Sequence, residues 1–244
     1  MNRRIDEIGF GGLRLIQDPG QFCYGVDAVL LADFCRAKET DQVCELGSGN
    51  GAVSLILYAK YHPVFITGAE LQEGPYRLAV ESAELNGLSE RIRFINTDIL
   101  GLADHIEACT MDLVVSNPPY IEKGRGMTGS ETAQTLARHE STASLQDFVS
   151  ESARMLKSGG RLCLVHRPLR LADIFEASRR AGLEPKRIVP VAPKLGEASN
   201  IILVECIKGA GKGLTFMPQI VIREQDGSFT SEVSRIYTEH YSVK

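Results

Sequence analysis

Between Gln42 and Cys206, short apolar runs alternate with segments of helical periodicity, and this alternation limits the fold more than any other property of the chain. QVCEL (42–46), VFITGAE (64–70), RIRFIN (91–96), DLVVS (112–116) and RLCLVH (161–166) read as buried strands. Helical patterns separate them: GAVSLILYAKY (51–61), PYRLAVESAELNG (75–87), SLQDFVSESARMLKSGG (144–160, closed by glycine) and LRLADIFEASRRAGL (169–183). Pro75 suits a first helical turn and Gly87 a helix stop. Such alternation predicts a mostly parallel sheet covered on both faces. EPKRIVPV (184–191) and NIILVEC (200–206) follow, joined by APKLGEAS. That link is too short for a helical crossover, which predicts an antiparallel last pair.

Two regions lie outside the alternation. Residues 1–40 contain LRLIQ (13–17) and a short helical pattern, DAVLLADFC (27–35), for which Asp27 is the expected N-cap. Residues 208–244 open with KGAGKG and end in a polar stretch. The expected organisation is an N-terminal extension (1–40) capping a core (41–207), with a C-terminal tail (208–244) packed on it.

The six cysteines are far apart and none forms a CxxC pair, so no metal site is expected. Cys44 and Cys163 fall inside apolar runs and read as small hydrophobes, and a reduced, cytoplasmic protein follows. No apolar run approaches the ~18 residues of a membrane span. The formal net charge is −4, which by itself argues against a nucleic-acid partner. The distribution is uneven: from Arg154 to Lys194 there are ten Lys/Arg and three acids, a local excess of +7. That segment is either a phosphate-facing surface or a set of solvated helix faces.

After the first strand comes Glu45-Leu46-Gly47-Ser48-Gly49-Asn50-Gly51. Glycines allow a sharp strand-to-helix turn and close approach of backbone to a ligand. The spacing is G-x-G-x-G behind an acid, unlike the G-x-G-x-x-G of dinucleotide sites. Glu45 beside the loop would repel a pyrophosphate and attract a cation. Glu70 ends the second strand, where a carboxylate can accept both hydroxyls of a ribose. Asp98 follows the third strand, near where an adenine amino group would lie. Three acids around the carboxyl edge of a sheet fit a positively charged nucleoside, of which S-adenosylmethionine is an example.

The fourth strand runs into Asn117-Pro118-Pro119-Tyr120. A planar amino nitrogen is a poor nucleophile because its lone pair is delocalised. Two acceptors on its N–H bonds would pull it toward a tetrahedral shape, and the Asn117 side-chain oxygen and the Pro118 carbonyl can supply them. The two prolines stiffen the loop in advance, and Tyr120 can stack on an unstacked base. Any planar amino group satisfies this geometry, including a glutamine amide and the exocyclic amines of DNA or RNA bases.

Taken together, ELGSGNG, Glu70, Asp98 and NPPY resemble the class I S-adenosylmethionine-dependent methyltransferases. YGVDAVLLADF (24–34), LKSGGRLCLVHRPLRLADI (156–174), GLEPKRI (182–188) and EASNIILVE (197–205) resemble one subfamily, the bacterial tRNA adenine-N6 methyltransferases acting on an adenosine beside the anticodon of a valine tRNA. The resemblance spans about residues 13–240. It implies a Rossmann-like α/β fold with a seven-stranded, mostly parallel sheet, an antiparallel last strand and helices on both faces. It implies S-adenosylmethionine as cofactor, held by Glu45, Gly47, Ser48, Gly49, Gly51, Glu70, Leu71, Asp98, Ile99 and Asn117. Asn117, Pro118, Pro119 and Tyr120 are the expected catalytic set. The implied partner is tRNA; His166, Arg167 and Arg170, at the carboxyl end of the fifth strand, and Arg138 are the expected RNA contacts, with ordinary surface charge as the alternative reading. No metal or membrane is expected, and the oligomeric state is left open with a monomer favoured. Tyr24 and Asp27 either cover the cofactor or shape the base pocket, or belong simply to a packed N-terminal cap, the favoured reading. Residues 122–142, glycine-rich, polar and long, form either a lid or substrate clamp or a plain surface loop. The competing expectations are a protein glutamine or an rRNA or DNA amine as substrate, a nicotinamide-dependent oxidoreductase, or a non-catalytic RNA-binding module with a degenerate cofactor site.

Overall fold

Every strand of the alternation forms, and each carries its apolar residues to both faces. A computed structural model describes residues 3–20, 23–118 and 143–238. β1 (Arg4–Glu7) and β2 (Arg14–Gln17) make an antiparallel hairpin ahead of α1 (Val26–Cys35). The main body then runs β3 (Gln42–Leu46), α2 (Ala52–Tyr61), β4 (Phe65–Glu70), α3 (Glu73–Leu85), β5 (Ile92–Asn96), β6 (Met111–Ser116), α4 (Leu145–Met155), β7 (Leu156–His166), α5 (Leu171–Arg180), β8 (Leu183–Lys194) and β9 (Ile201–Lys208). β10 (Thr215–Phe216), β11 (Ile220–Arg223) and α6 (Ser231–Thr238) close the described chain.

The sheet order is β10-β8-β9-β7-β6-β3-β4-β5, with β11 also pairing β8. β3, β4, β5, β6 and β7 are mutually parallel, while β9 is antiparallel to both β7 and β8. Among the described residues the sheet thus has nine strands rather than the expected seven. The two extra strands come from the tail, which pairs parallel to the outer edge of β8. Side chains alternate as a pleated strand demands. Val43, Leu113 and Val115 join the core under α1, α2 and α3, while Cys44, Leu46 and Val114 join the core under α4 and α5. Cys44 and Cys163 are buried within their strands, and burial pushes the Cys44 thiol up to about 12.

Two local expectations are corrected. The helix read over 144–160 begins behind a capping box at Ser144 and ends at Met155, and Leu156–Gly160 belong to β7. Leu156 is fully buried opposite Met111, and the register shift after that pair absorbs Lys157–Gly160. The glycines serve this bulge, since a Cβ on Gly160 would sit 2.9 Å from the Lys157 carbonyl oxygen. In α1 the N-cap is Gly25, so Asp27 lies inside the first turn and its carboxylate is turned to other use.

The N-terminal and C-terminal segments meet on one face. Fully buried Lys60 of α2 pairs with Asp33 of α1 at 2.6 Å and donates to the Ile236 carbonyl of α6 at 2.8 Å. Such a cation is tolerated only with partners on every side.

Candidate functional site

The carboxyl ends of β4, β3 and β6 lie side by side, with Leu46 opposite Ala69 on one flank and Ser116 on the other. β5 extends the edge, with Asn96 opposite Glu70. The Ser116 hydroxyl donates to the Leu46 carbonyl at 3.0 Å, fixing β6 against the glycine loop where the NPPY stretch begins.

The loop from Gly47 to Gly51 turns β3 into α2. Gly47, Gly49 and Gly51 have φ of 70°, 54° and 83°, a region that favours glycine. Their reasons differ. A Cβ on Gly49 would meet nothing within 4 Å, so this residue keeps backbone open to the crevice. A Cβ on Gly51 would lie 2.7 Å from the Phe94 ring, and one on Gly68 of β4 would collide with the same ring. Those two glycines make room for Phe94, a packing role rather than a ligand role. Gly47 and Ser48 both donate their N–H to the Ala69 carbonyl at 2.9 Å, which holds the loop on β4.

Glu45 is 2 % exposed, and its Oε2 accepts from the Ser54 backbone N–H at 3.0 Å and from the Ser54 hydroxyl. Gly51 has no side chain to cap α2, so Glu45 supplies the cap from the strand behind. Burial pushes the Glu45 carboxyl up to about 8 against the opposing effect of the Ser54 hydrogen bonds, with nearby Glu70 adding to the rise. Glu70 is half-buried, and its Oε2 accepts from Gly49 N–H and its Oε1 from Gln72 N–H, both at 2.8 Å. Burial raises its pKa too, opposed by backbone N–H groups that favour the charged form. Asp98 accepts from Leu100 N–H at 3.0 Å and caps a short turn over Ile99–Asp104. It lies next to Glu70 because Thr97 N–H donates to the Glu70 carbonyl at 3.0 Å. Leu71 is 37 % exposed beside this edge, whereas Ile99 is buried in the core.

These residues suit S-adenosylmethionine. Glu70 and Asp98 present acceptors at the edge, Glu45 lies buried behind the glycine loop, and residues 45–51, 70–72 and 96–100 contain no Lys or Arg for a pyrophosphate. The Ser48 hydroxyl is buried without a hydrogen-bond partner among the described residues, a polar group in the loop that a ligand could satisfy.

Asn117 follows β6 at the same edge, and its Nδ2 donates to Asp27 Oδ2 at 3.2 Å. Pro118 is buried behind it. Pro119, Tyr120 and Arg138 lie outside the described residues, as does the whole 122–142 stretch. Among the expected RNA contacts, His166 is corrected. It is 1 % exposed, its Nδ1 accepts from Arg167 N–H at 2.8 Å, and burial together with Arg170 and Arg167 holds its pKa down to about 4. A buried, neutral ring offers no positive charge to a phosphate. Arg167 donates to the Asn200 carbonyl at 3.1 Å, and Arg170 pairs with Asp173 at 2.5 Å.

The +7 segment does not form one basic surface. Arg154 pairs with Glu151, Lys157 with Asp112, Arg161 with Asp41 and Glu205, and Arg187 with Glu205. All of those acids lie outside the segment, so counting along the chain overstates its charge. Sequence reasoning also missed Gln17. This buried side chain accepts from Tyr24 N–H at 3.2 Å and from Asn50 Nδ2 at 3.5 Å, tying the N-terminal hairpin to the glycine loop. No pattern of spacing announces a single glutamine of this kind.

Fold and site together define a class I S-adenosylmethionine-dependent methyltransferase. The sequence model of the methyltransferase small domain matches residues 12–178, and the chain belongs to that family. It is 27 % identical to a tRNA1(Val) (adenine(37)-N6)-methyltransferase of Tolumonas auensis over 233 residues, 95 % of each chain. It is 29 % identical to a protein of the same name from Aeromonas hydrophila, covering 89 % of each. Among solved structures, a predicted O-methyltransferase from Agrobacterium tumefaciens superposes with a TM-score of 0.72 at 24 % identity, covering 88 % of this chain and 98 % of that one. TrmN from Thermus thermophilus superposes with a TM-score of 0.52 at 21 % identity, covering 74 % of this chain and 48 % of that one. One fold thus carries several acceptor chemistries, and the acceptor must be argued from the site.

Proposed function

We propose that the protein methylates the N6 amino group of an adenosine in tRNA, beside the anticodon of a valine tRNA. The observation that carries the amine assignment is Asn117, placed at the exit of β6 beside the acidic crevice with its carboxamide nitrogen engaged by Asp27. Its carbonyl end suits an N–H donor. The RNA assignment rests on the names of relatives that align along nearly the whole chain.

In this reading residues 41–207 form the catalytic core, residues 1–40 cap it, and residues 208–244 brace its edge. Glu45 and the 47–51 loop hold the methionine part of the cofactor, Glu70 the ribose, and Asp98 with Leu71 the adenine. When bound, S-adenosylmethionine supplies an electrophilic methyl group. The chain's own contribution is to seat the base. Asn117 Oδ1 and the Pro118 carbonyl accept from the target amine, Tyr120 stacks on the ring, and the rigid prolines fix both acceptors before the base arrives. Arg167 and Arg170 face the RNA backbone as weak contacts.

The test uses S-adenosylmethionine with a deuterated methyl group and three pools from cells lacking the gene: tRNA, ribosomal RNA and protein. Heavy N6-methyladenosine in digested tRNA alone is expected. Label on glutamine in the protein pool, or in ribosomal RNA, would sink the tRNA assignment while leaving the fold untouched.

A further inference from the structure

Asn117 carries a carboxamide with two unlike ends of nearly the same shape. Turned one way it offers an acceptor to an incoming amine, and turned the other way it offers N–H against N–H. The two ends are nearly isosteric, so shape alone does not choose between them. Something outside the stretch must set the flip.

The neighbour that does so is Asp27, in the first turn of α1 and far away in sequence. Asp27 Oδ2 accepts from Asn117 Nδ2 at 3.2 Å, and its Oδ1 accepts from Ala28 N–H at 3.0 Å. A carboxylate has no proton to give, so it selects the carboxamide nitrogen and turns Oδ1 of Asn117 to the opposite side. The hydrogen bond also polarises the N–H and pushes electron density through the amide onto its carbonyl, which makes that oxygen the stronger acceptor. The local backbone is shaped for this: a Cβ on Gly25 would lie 2.8 Å from Asp27 Oδ1, so the residue capping α1 leaves room for the carboxylate. On its other side Asn117 is anchored through Ser116, whose hydroxyl holds the Leu46 carbonyl.

From this geometry we infer that Asp27 is a positioning residue for methyl transfer, acting through Asn117 by fixing which end of its carboxamide faces the substrate amine. The inference rests on the reading of Asn117 as the amine acceptor. It gives the N-terminal segment a role in the reaction in addition to covering the core.

The experiment measures single-turnover methyl transfer to tRNA from cells lacking the gene, cofactor Kd, and thermal unfolding for each variant. Asp27→Ala is expected to slow transfer ~10- to 100-fold with cofactor Kd within about twofold of wild type. Asp27→Asn keeps an acceptor oxygen and is expected to fall between them. The deciding comparison uses Asn117→Asp, which keeps an acceptor for the amine but has no N–H for Asp27 and places two carboxylates together. In that background Asp27→Ala is expected to raise the rate, inverting the sign seen in the wild-type background. A purely structural Asp27 would lower both rates alike, and that result overturns the inference. So would a rate within about twofold of wild type for Asp27→Ala, a parallel loss of cofactor binding, or no gain in the Asn117→Asp background. Asn117→Ala at near wild-type rate would instead overturn the reading of Asn117 itself, whatever Asp27 does.

Discussion

The two halves of the carboxyl edge are built in different ways. On the β3–β5 side the acids are locked into the scaffold by bonds that stay within residues 45–100: Glu45 to Ser54, Glu70 to Gly49 and Gln72, Asp98 to Leu100. Each carboxylate shapes the backbone that it would share with a ligand. On the β6–β7 side Asn117 takes its orientation from Asp27 in a separate segment, and His166 withdraws into the core. The acids of the cofactor half are held by bonds within residues 45–100, with Gln17 and Ser116 touching only the loop backbone and Asn50, whereas the acceptor half takes the partner of its key side chain from a distant segment. This division lets one fold keep its donor site while the acceptor site changes.

The largest way to break the comparison is at Asn117. Asn117→Ala removes an acceptor that matters only when the amine is reshaped, so kcat should fall ~100- to 1,000-fold. Cofactor binding should stay within about twofold, because the glycine loop and Glu70 are untouched. Equilibrium titration with S-adenosylmethionine beside single-turnover rates checks this, and a matched loss of both would show that the halves are not separable.

A smaller effect of opposite kind is expected at Glu70. Both of its oxygens are engaged by backbone N–H groups, of Gly49 and Gln72, with Leu71 close by. Glu70→Gln leaves a single acceptor oxygen and disturbs Gly49 or Gln72, so cofactor Kd should rise about tenfold. At saturating cofactor, kcat should recover to within a few-fold of wild type. Recovery that fails at saturation would place Glu70 in the transfer step and erase the distinction between the halves.

The difference also explains what could be read along the chain. The core strands, the antiparallel last pair and the acids at strand ends follow from local patterns: period-two burial, a short link, one carboxylate after each strand. The Leu156–Gly160 bulge was read as helix because its glycines look like a helix stop, and only the pairing of Leu156 with Met111 reveals the strand. β10 and β11 were missed because their residues gain strand character only from the edge of β8. The basic segment misled because its partners Asp41, Asp112, Glu151 and Glu205 are distant in sequence or outside the window. Asp27 looked like a helix cap for the same reason: its partner lies 90 residues away. Local chemistry was legible, and long-range pairing was not.

The finest test concerns what Glu45 does, cap or counter-charge. Its carboxyl is raised from an ordinary 4.5 to about 8 in the folded chain, chiefly by burial. Between those values the folded protein holds a proton that the unfolded chain has released. Stability from this group is therefore fully present below about pH 4.5 and is lost as pH rises through about 8. Glu45→Gln keeps an oxygen to accept from Ser54 and has no proton to exchange. Thermal unfolding of both proteins should give midpoints that diverge from pH 5 to pH 8, the variant gaining several degrees on the wild type at the alkaline end. Parallel curves would mean that Glu45 is already ionised inside the folded chain. In that case the cofactor half would carry a standing negative charge under its glycine loop, and attraction of a cationic cofactor, rather than capping of α2, would be the reason for an acid at this position.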